Sequence, residues 1–299
     1  MTPHDPDDFD PDAFEAEGDD DAPAPLADAY TRALGLEKAG DIDAAVAAWA
    51  EVLALDPADR AGAGVRLAAL GRGEAPSKAP DAYVALLFDQ HADAFDDILV
   101  GKLGYRAPDL ARARVDQVAP GHRPRMLDLG CGTGLAGIAF ADMTDRITGV
   151  DLSERMLEQT DARELYNALY LGEAVAFLTA EATEGEEDED TDFDSPWDLI
   201  VATDVLPYLG DPSPLFAGCA RHSAPGALLA FTTETLSDEA FATADWVVGP
   251  HQRYAHRGAA VIRALESAGY EPLSTELITV RTNEGRPEPG ALIVARKLG

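Results

Sequence analysis

The chain has 299 residues, with 55 Asp and Glu against 23 Lys and Arg, so its formal net charge is −32. Such a charge repels phosphate backbones and anionic lipid surfaces, which disfavours nucleic acid and membranes as partners. No run approaches 18 apolar residues, the first residues lack a secretory pattern, and two cysteines cannot form a disulfide framework. We therefore expect a cytoplasmic protein and predict no metal site. The excess of acid is typical of salt adaptation, but a GC-rich genome accounts for it equally well.

Two stretches carry much of this acid. Residues 1–22 contain ten acids and no base, and residues 181–194 contain nine acids and no base. Such runs repel themselves and lack the apolar surface needed for ordering, and neither has the oxygen spacing of a calcium loop. They predict a disordered tail over residues 1–24 and a surface loop over residues 181–195.

Residues 25–72 are predicted to form a small all-α module. Asp41 can cap a helix that runs from Ile42 to Leu55, and apolar residues at helical spacing let this helix face the preceding one. The small and turn residues resemble those of a tetratricopeptide repeat, at Ala33, Gly40, Ala45 and Pro57. The early Trp and Tyr of that repeat are not at their positions. A single unit cannot bury its apolar face, so we expect packing on the rest of the chain or self-association, with recognition of a protein partner left open.

A linker is predicted over residues 73–80, and a glycine-rich motif follows in the next domain, residues 81–299. A short apolar strand ends at Leu129, glycines follow at positions 130, 132 and 134, and a helix is predicted to start around Thr133. Glycines at this spacing let backbone N–H groups approach a ligand closely. Asp128, inside the strand end, would repel a pyrophosphate but attract the ammonium of a methionine moiety. Leu135 also stands where a dinucleotide site requires a small residue.

The next predicted strand, residues 146–150, ends in Asp151, which lies 21 residues after Gly130. An acid at this position can accept both hydroxyls of a ribose. Ser153 can cap the helix that follows, which places Leu152 or Met156 against an adenine face.

The run from Asp128 to Gly134, followed by Gly149-Val-Asp-Leu-Ser153, resembles the S-adenosylmethionine site of class I methyltransferases. The resemblance covers about residues 80–299. It implies an α/β fold with a Rossmann-like, seven-stranded, mostly parallel sheet whose last strand is antiparallel. Together with the preceding helical module, the chain looks like the predicted tetratricopeptide-containing methyltransferases of bacteria. The implied cofactor is S-adenosyl-L-methionine.

The same resemblance implies the site residues. The third strand ends at Glu173-Ala174, where the family meets the adenine, and the fourth strand leads into residues 204–209, which line the methionine end and the acceptor pocket. Residues 81–118 would fold over the cofactor as a helical lid. The implied cofactor-binding residues are Asp128, Gly130, Cys131, Gly132, Gly134, Asp151, Leu152, Met156, Glu173, Ala174 and Thr203.

Residues on the acceptor side are less well defined. Methyl transfer mainly requires that nucleophile, methyl group and sulfur be held in line, and a base is needed only if the acceptor arrives protonated. The catalytic candidates are Tyr208, Arg253 and His256, with Tyr254 beside them, although His256 also fits a structural role. Cys131 is expected to be a small spacer in the motif and not a nucleophile.

The leading hypothesis is S-adenosylmethionine-dependent methyl transfer to an unidentified small-molecule or protein acceptor. The alternative is a non-catalytic S-adenosylmethionine-binding scaffold that acts through the helical repeat. A nicotinamide oxidoreductase is disfavoured by Asp128 and by the predicted antiparallel final hairpin.

Overall fold

The computed structural model describes residues 23–179, 195–283 and 285–299. The predicted acidic tail and acidic loop lie outside the described residues, except for their last residues. The described helices are α1 (Ala24–Lys38), α2 (Ile42–Leu55), α3 (Ala63–Ala69), α4 (Asp81–His91), α5 (Ala107–Val118), α6 (Leu135–Phe140), α7 (Glu154–Asp161), α8 (Ala174–Thr179), α9 (Ser213–His222), α10 (Asp238–Phe241) and α11 (Gly258–Ser267). The described strands are β1 (Arg125–Leu129), β2 (Arg146–Asp151), β3 (Ala168–Leu171), β4 (Trp197–Ala202), β5 (Ser223–Glu234), β6 (Trp246–Val248), β7 (Tyr254–His256), β8 (Tyr270–Asn283) and β9 (Arg286–Lys297). Among the described helices, none is long and apolar enough to cross a bilayer.

Helices α1, α2 and α3 form the N-terminal module. The Asp41 carboxylate accepts from the Ala44 amide at 3.4 Å and caps α2, whose bounds agree with those predicted. Trp49 is fully buried, with its ring edge-on to Tyr30 at a centroid distance of 5.5 Å. A small hydrophobic cluster therefore holds α1 and α2 together.

The module packs against the rest of the chain through its last helix. Val65 of α3 lies in one buried cluster with Tyr83 and Val84 of α4 and Tyr254 of β7. The Tyr254 hydroxyl also donates to the Pro76 carbonyl at 2.9 Å. The face that the module cannot bury alone is thus partly covered from within the same chain.

The segment predicted as a linker, residues 73–80, is bound to the turn after β4. The Ala79 amide donates to the Tyr208 carbonyl at 2.8 Å, and the Gly210 amide donates to the Ser77 carbonyl at 2.8 Å. These two bonds make a short antiparallel bridge between Lys78 and Leu209. The connection therefore has a fixed path beside the sheet.

The sheet is mostly parallel and has an antiparallel C-terminal strand, as predicted. Strands β3, β2, β1, β4 and β5 lie side by side and are parallel, with Leu127 opposite both Thr148 and Ile200. Strand β9 runs antiparallel to β5, with Ile293 opposite Phe231, and β8 runs antiparallel to β9. Both faces of the sheet are covered, since alternate residues of β1 enter two different apolar clusters.

Across the described residues the sheet has nine strands, not the predicted seven, because a small hairpin joins it. Strands β6 and β7 pair with each other, and β7 adds to the end of β5 through Glu234 and Ala255. Residues 254–256, considered in the sequence only as acceptor-side candidates, therefore form a strand. Strands of three residues are too short to give a clear alternation in sequence.

Candidate functional site

A cavity opens at the carboxyl ends of β1, β2 and β4, and its empty space, counted together with the open solvent at its mouth, is about 940 Å³. In an open parallel sheet this is the edge at which ligands bind. Eight of the predicted cofactor-binding residues line the cavity, namely Gly130, Cys131, Gly132, Asp151, Leu152, Glu173, Ala174 and Thr203. Asp128, Gly134 and Met156 do not line it.

The glycine turn forms the floor of the cavity. Gly130 and Gly132 both have φ in the left-handed region, at 64° and 53°, which a side chain would strain. A Cβ on Gly130 would also lie 2.7 Å from the Val205 side chain. Helix α6 begins only at Leu135, two residues later than predicted, because Gly134 is left-handed as well. The backbone therefore passes close to any ligand in the cavity.

Cys131 lies within this turn and is buried. Its amide donates to the Val150 carbonyl at 3.0 Å, so the residue ties the turn to β2. Burial raises the pKa of the Cys131 thiol well above its ordinary value, with Asp151 and Asp128 adding to the effect. A thiol of this kind is protonated and unreactive near neutral pH.

Asp151 lies at the end of β2, beside the turn. Its Oδ2 accepts from the Gly132 amide at 2.8 Å, and its Oδ1 accepts from the Ser153 amide at 2.9 Å. Burial raises the pKa of Asp151 to about 6, although the backbone donors oppose this shift. The two amides fix the direction of a carboxylate that still has lone pairs for hydroxyl donors from a ligand.

Asp128 lies behind the glycine turn. Its Oδ2 accepts from the Tyr166 hydroxyl at 2.6 Å, and that hydroxyl accepts from the Gly137 amide at 3.0 Å. Burial raises the pKa of Asp128 to about 7, against the hydrogen bond from Tyr166. Its Oδ1 has no hydrogen-bond partner among the described residues. The Asp128 side chain therefore contacts Tyr166 behind the glycine turn and does not line the cavity, whereas the sequence predicted that it would contact the ligand.

One side of the cavity is formed by Leu152 and by residues 172–174. Glu173 Oε2 accepts from the Ala176 amide at 2.7 Å and lies 3.7 Å from Lys78 Nζ. Met156 is fully buried in the cluster under the lid and does not reach the cavity. Lys78 lines the cavity but was not predicted, because only the fold brings residues 73–80 to this edge.

The helical segment between residues 81 and 105 covers the cavity, and Phe88, Phe95 and Tyr105 line it. Two aspartates fasten this segment to the sheet side. Asp89 Oδ1 accepts from the Ser153 hydroxyl at 2.5 Å, and Asp96 Oδ1 accepts from the Thr133 hydroxyl at 2.6 Å.

The other end of the cavity contains Thr203, Asp204, Val205 and Tyr208. Behind them lies Arg253, which is 6% exposed and does not line the cavity. Its Nη1 donates to the Tyr208 hydroxyl at 2.7 Å, and its Nη2 donates to Asp204 Oδ1. Arg253 therefore orients two groups that face the cavity.

His256 lies outside the cavity and is 1% exposed. Its Nδ1 is 2.8 Å from the Thr233 hydroxyl, and its Nε2 is 2.9 Å from the Leu209 carbonyl. Both ring nitrogens are therefore engaged within the fold. This placement removes the reason to regard His256 as a catalytic residue and favours the structural role that the sequence also allowed.

Tyr254 is likewise buried outside the cavity, with its hydroxyl on the Pro76 carbonyl. Asp204 lies in the stretch 204–209 that was predicted to line the methionine end and the acceptor pocket, but it was not named as a candidate site residue; it lines the cavity directly after Thr203. In the sequence, its position directly after a buried strand is the feature that could have identified it as a site residue.

Within the described ranges, no group of three His, Cys, Asp or Glu side chains is arranged to hold a metal ion.

Comparison with known proteins gives a consistent result. Residues 127–229 match the family model described as "Methyltransferase domain". The chain is 36% identical over 141 residues to trans-aconitate 2-methyltransferase of Streptomyces coelicolor, covering 46% of this chain and 39% of that protein. It is 30% identical over 149 residues to a ubiquinone biosynthesis O-methyltransferase of Maricaulis maris, covering 46% and 54%. The chain thus spans less than two thirds of the length of either curated relative.

Two solved structures share the fold. A phosphoethanolamine N-methyltransferase 2 of Haemonchus contortus superposes with a TM-score of 0.52 at 17% identity, over 74% of this chain and 60% of that one. An S-adenosylmethionine-dependent methyltransferase of Clostridium acetobutylicum superposes with a TM-score of 0.50 at 14% identity, over 71% and 99%.

The residues of the cavity fit the cofactor that the sequence predicted, S-adenosylmethionine. The left-handed glycine turn leaves room at its floor, Asp151 presents an oriented carboxylate, and an apolar wall runs past Leu152. A nucleoside with an attached amino acid requires these elements: a close backbone, an acceptor for its ribose hydroxyls and a surface for its base. With the family match to residues 127–229, this confirms S-adenosylmethionine as the cofactor of the domain.

Proposed function

We propose that this chain, which carries a class I methyltransferase domain, transfers the methyl group of S-adenosylmethionine to a small-molecule acceptor. The observation that carries the proposal is Asp151, a buried carboxylate held by the amides of Gly132 and Ser153 at the floor of the cavity. Its geometry suits the two hydroxyls of a ribose. We place the acceptor at the end of the cavity beyond Thr203, which Asp204, Val205 and Tyr208 line.

A small molecule is favoured over a protein side chain by the walls of the cavity. Phe88 and Phe95 cover it from the lid, and Lys78 and Ala79 close it from the segment before the lid. An acceptor must enter a space bounded on several sides, which suits a compact molecule better than a folded protein surface. The relatives described above are a trans-aconitate methyltransferase and an O-methyltransferase of ubiquinone biosynthesis, and both names refer to small molecules.

For the N-terminal module we propose a tetratricopeptide-like unit that packs on the methyltransferase domain. The cluster that joins Val65 to Tyr83 and Tyr254 supports packing within the chain. The scaffold alternative would instead need an uncovered binding face on this module. Transfer of a labelled methyl group from S-adenosylmethionine into a metabolite extract separates the two functions, because a scaffold gives binding without transfer.

The test of cofactor binding is calorimetry with S-adenosylhomocysteine on the full chain. Asp151→Asn keeps the shape of the side chain but removes its charge, so hydrogen bonds worth about 1.5–3 kcal/mol are weakened. We expect the dissociation constant to rise about 10- to 100-fold. Asp161→Asn, at an exposed position at the end of α7, is the matched control and should leave the constant unchanged. No binding by the wild-type chain at millimolar ligand would end the proposal.

A further inference from the structure

One carboxylate at the acceptor end of the cavity has a fixed direction. Asp204 follows Thr203, lines the cavity, and has a side chain that is 20% exposed. Its φ is +63°, in the left-handed region that non-glycine residues seldom adopt, and its amide donates to the Thr232 hydroxyl at 2.9 Å. Such a conformation persists only where the surroundings impose it, and it often marks a functional position.

A buried charge network holds this carboxylate from behind. Arg253 donates to Asp204 Oδ1 through Nη2 and to Glu234 Oε1 through Nε at 2.7 Å. Arg281 Nη2 lies 4.0 Å from the same Glu234 oxygen. The formal charges of these two arginines and of Asp204 and Glu234 sum to zero, so the network as a whole is neutral. Arg253 and Glu234 act through Asp204 and are positioning residues.

Thr203, Tyr105 and Tyr208 bring hydroxyl groups to the cavity beside Asp204. Apolar side chains make up much of the rest of its lining, among them Phe88, Phe95, Leu99 and Val205. An ionised carboxylate can only accept hydrogen bonds, so the group it meets in the cavity must be a donor. A second cation beside the positively charged methyl donor would be repelled, which favours a neutral donor over an ammonium.

We propose that Asp204 accepts the proton of a neutral hydroxyl group, carried on an apolar acceptor molecule, during methyl transfer. The inference rests on the proposed function and names its substrate class and its base. S-adenosylmethionine supplies the methyl group in an activated, sulfonium-bound form. The acceptor oxygen forms a bond to the methyl carbon, the electron pair of the carbon–sulfur bond goes to sulfur, and the hydroxyl proton passes to the Asp204 carboxylate. That proton then leaves to solvent.

The chemistry of the group suits this role. Burial raises the pKa of Asp204 above its ordinary value, with Arg253 and Arg281 opposing the shift and Glu234 adding to it. A carboxylate with a raised pKa is a stronger base than an exposed one, and cations beside it favour its ionised form.

The experiment measures probe binding to the full chain saturated with S-adenosylhomocysteine. The probes are 4-methylphenol and its methyl ether, 4-methylanisole, in which a methyl group replaces the donor hydrogen. Charge-assisted hydrogen bonds contribute about 1.5–3 kcal/mol, so we expect the phenol to bind about tenfold or more tightly than the ether. In Asp204→Asn this advantage should fall at least about fivefold, while affinity for S-adenosylhomocysteine stays within about threefold.

Asp245→Asn is the matched control, since it makes the same change at an exposed carboxylate that pairs with Arg263 and does not line the cavity. It should keep the preference for the phenol, and an equal loss in both variants would make the effect structural and overturn the proposal. Equal binding of phenol and ether by the wild type would also overturn it, even if Asp204→Asn does not fold. Tighter binding of benzylamine than of the phenol would overturn the hydroxyl assignment. Failure of the wild type to bind S-adenosylhomocysteine would instead contradict the proposed function.

Discussion

At the residue scale, His256 shows how a side chain near the site can serve the fold. It connects β7 to the turn after β4, because Nδ1 meets the Thr233 hydroxyl and Nε2 meets the Leu209 carbonyl. Burial lowers the pKa of His256 to about 4, whereas an unfolded histidine titrates near 6.5. The unfolded chain therefore binds a proton at higher pH than the folded chain does. The stability that the neutral ring provides is complete above pH 6.5 and is lost as pH falls toward 4.

We predict that His256→Gln lowers the free energy of unfolding at pH 7 by about 1–3 kcal/mol, because one polar contact of the ring is lost. Between pH 7 and pH 5 the wild type should lose about 2 kcal/mol more than the variant, from the difference between the two pKa values. Asp128 and Asp151 have raised pKa values and oppose this trend, but they are present in both proteins and cancel. Urea unfolding at the two pH values measures the difference. If the free energy of unfolding falls by the same amount in wild type and variant between pH 7 and pH 5, His256 does not titrate as the structure indicates.

At the scale of elements, the bridge between residues 77–79 and the turn after β4 is the contact on which the cavity wall depends. Gly210 is essential there, since a Cβ at this position would lie 2.8 Å from the Ser77 carbonyl and from the Trp246 ring. We predict that Gly210→Ala separates the two segments, lowers stability by about 1–3 kcal/mol and weakens S-adenosylhomocysteine binding several-fold. Thermal unfolding and calorimetry report the two effects.

The matched control is Gly258→Ala at the start of α11, where the added Cβ has no atom within 4 Å and φ is not positive. It should leave ligand binding unchanged and stability unchanged or slightly higher. Equal behaviour of the two variants would contradict the role given to the bridge.

Elements with local signals could be predicted from the sequence, and those that depend on distant pairing could not. Helix α2 begins at the cap Asp41 and ends before Asp56-Pro57, so its bounds follow from neighbouring residues. Residues 77–79 have no such signal, because their partners lie about 130 residues later in the chain. In the site, Asp151 could be predicted from its position after a strand and a glycine turn. Arg253 has its role only because β7 brings it behind Asp204, a contact that sequence spacing does not reveal.

At the scale of the whole molecule, the net charge of −32 divides into parts with different consequences. Nineteen acids lie in residues 1–22 and 181–194, where no base accompanies them. By contrast, Asp151, Glu173 and Asp204 each follow or end a strand and line one cavity, where amides or arginines hold them. The bulk charge affects the choice of partners and the self-repulsion of the chain, whereas these three acids line the cavity to which we assign the proposed function.

The origin of the acidic excess leads to a prediction about salt. Self-repulsion between exposed acids destabilises the folded state, and salt screens it over a Debye length of about 10 Å at 0.1 M and about 3 Å at 1 M. If the acidity reflects only a GC-rich genome, the melting temperature should rise up to a few tenths molar sodium chloride and then level off, because screening is by then nearly complete. If it reflects salt adaptation, both melting temperature and S-adenosylhomocysteine affinity should continue to rise toward molar salt. Sodium chloride is the suitable salt, since sulfate strengthens apolar burial in any protein and would hide the difference. A melting temperature that does not rise at molar salt would exclude adaptation.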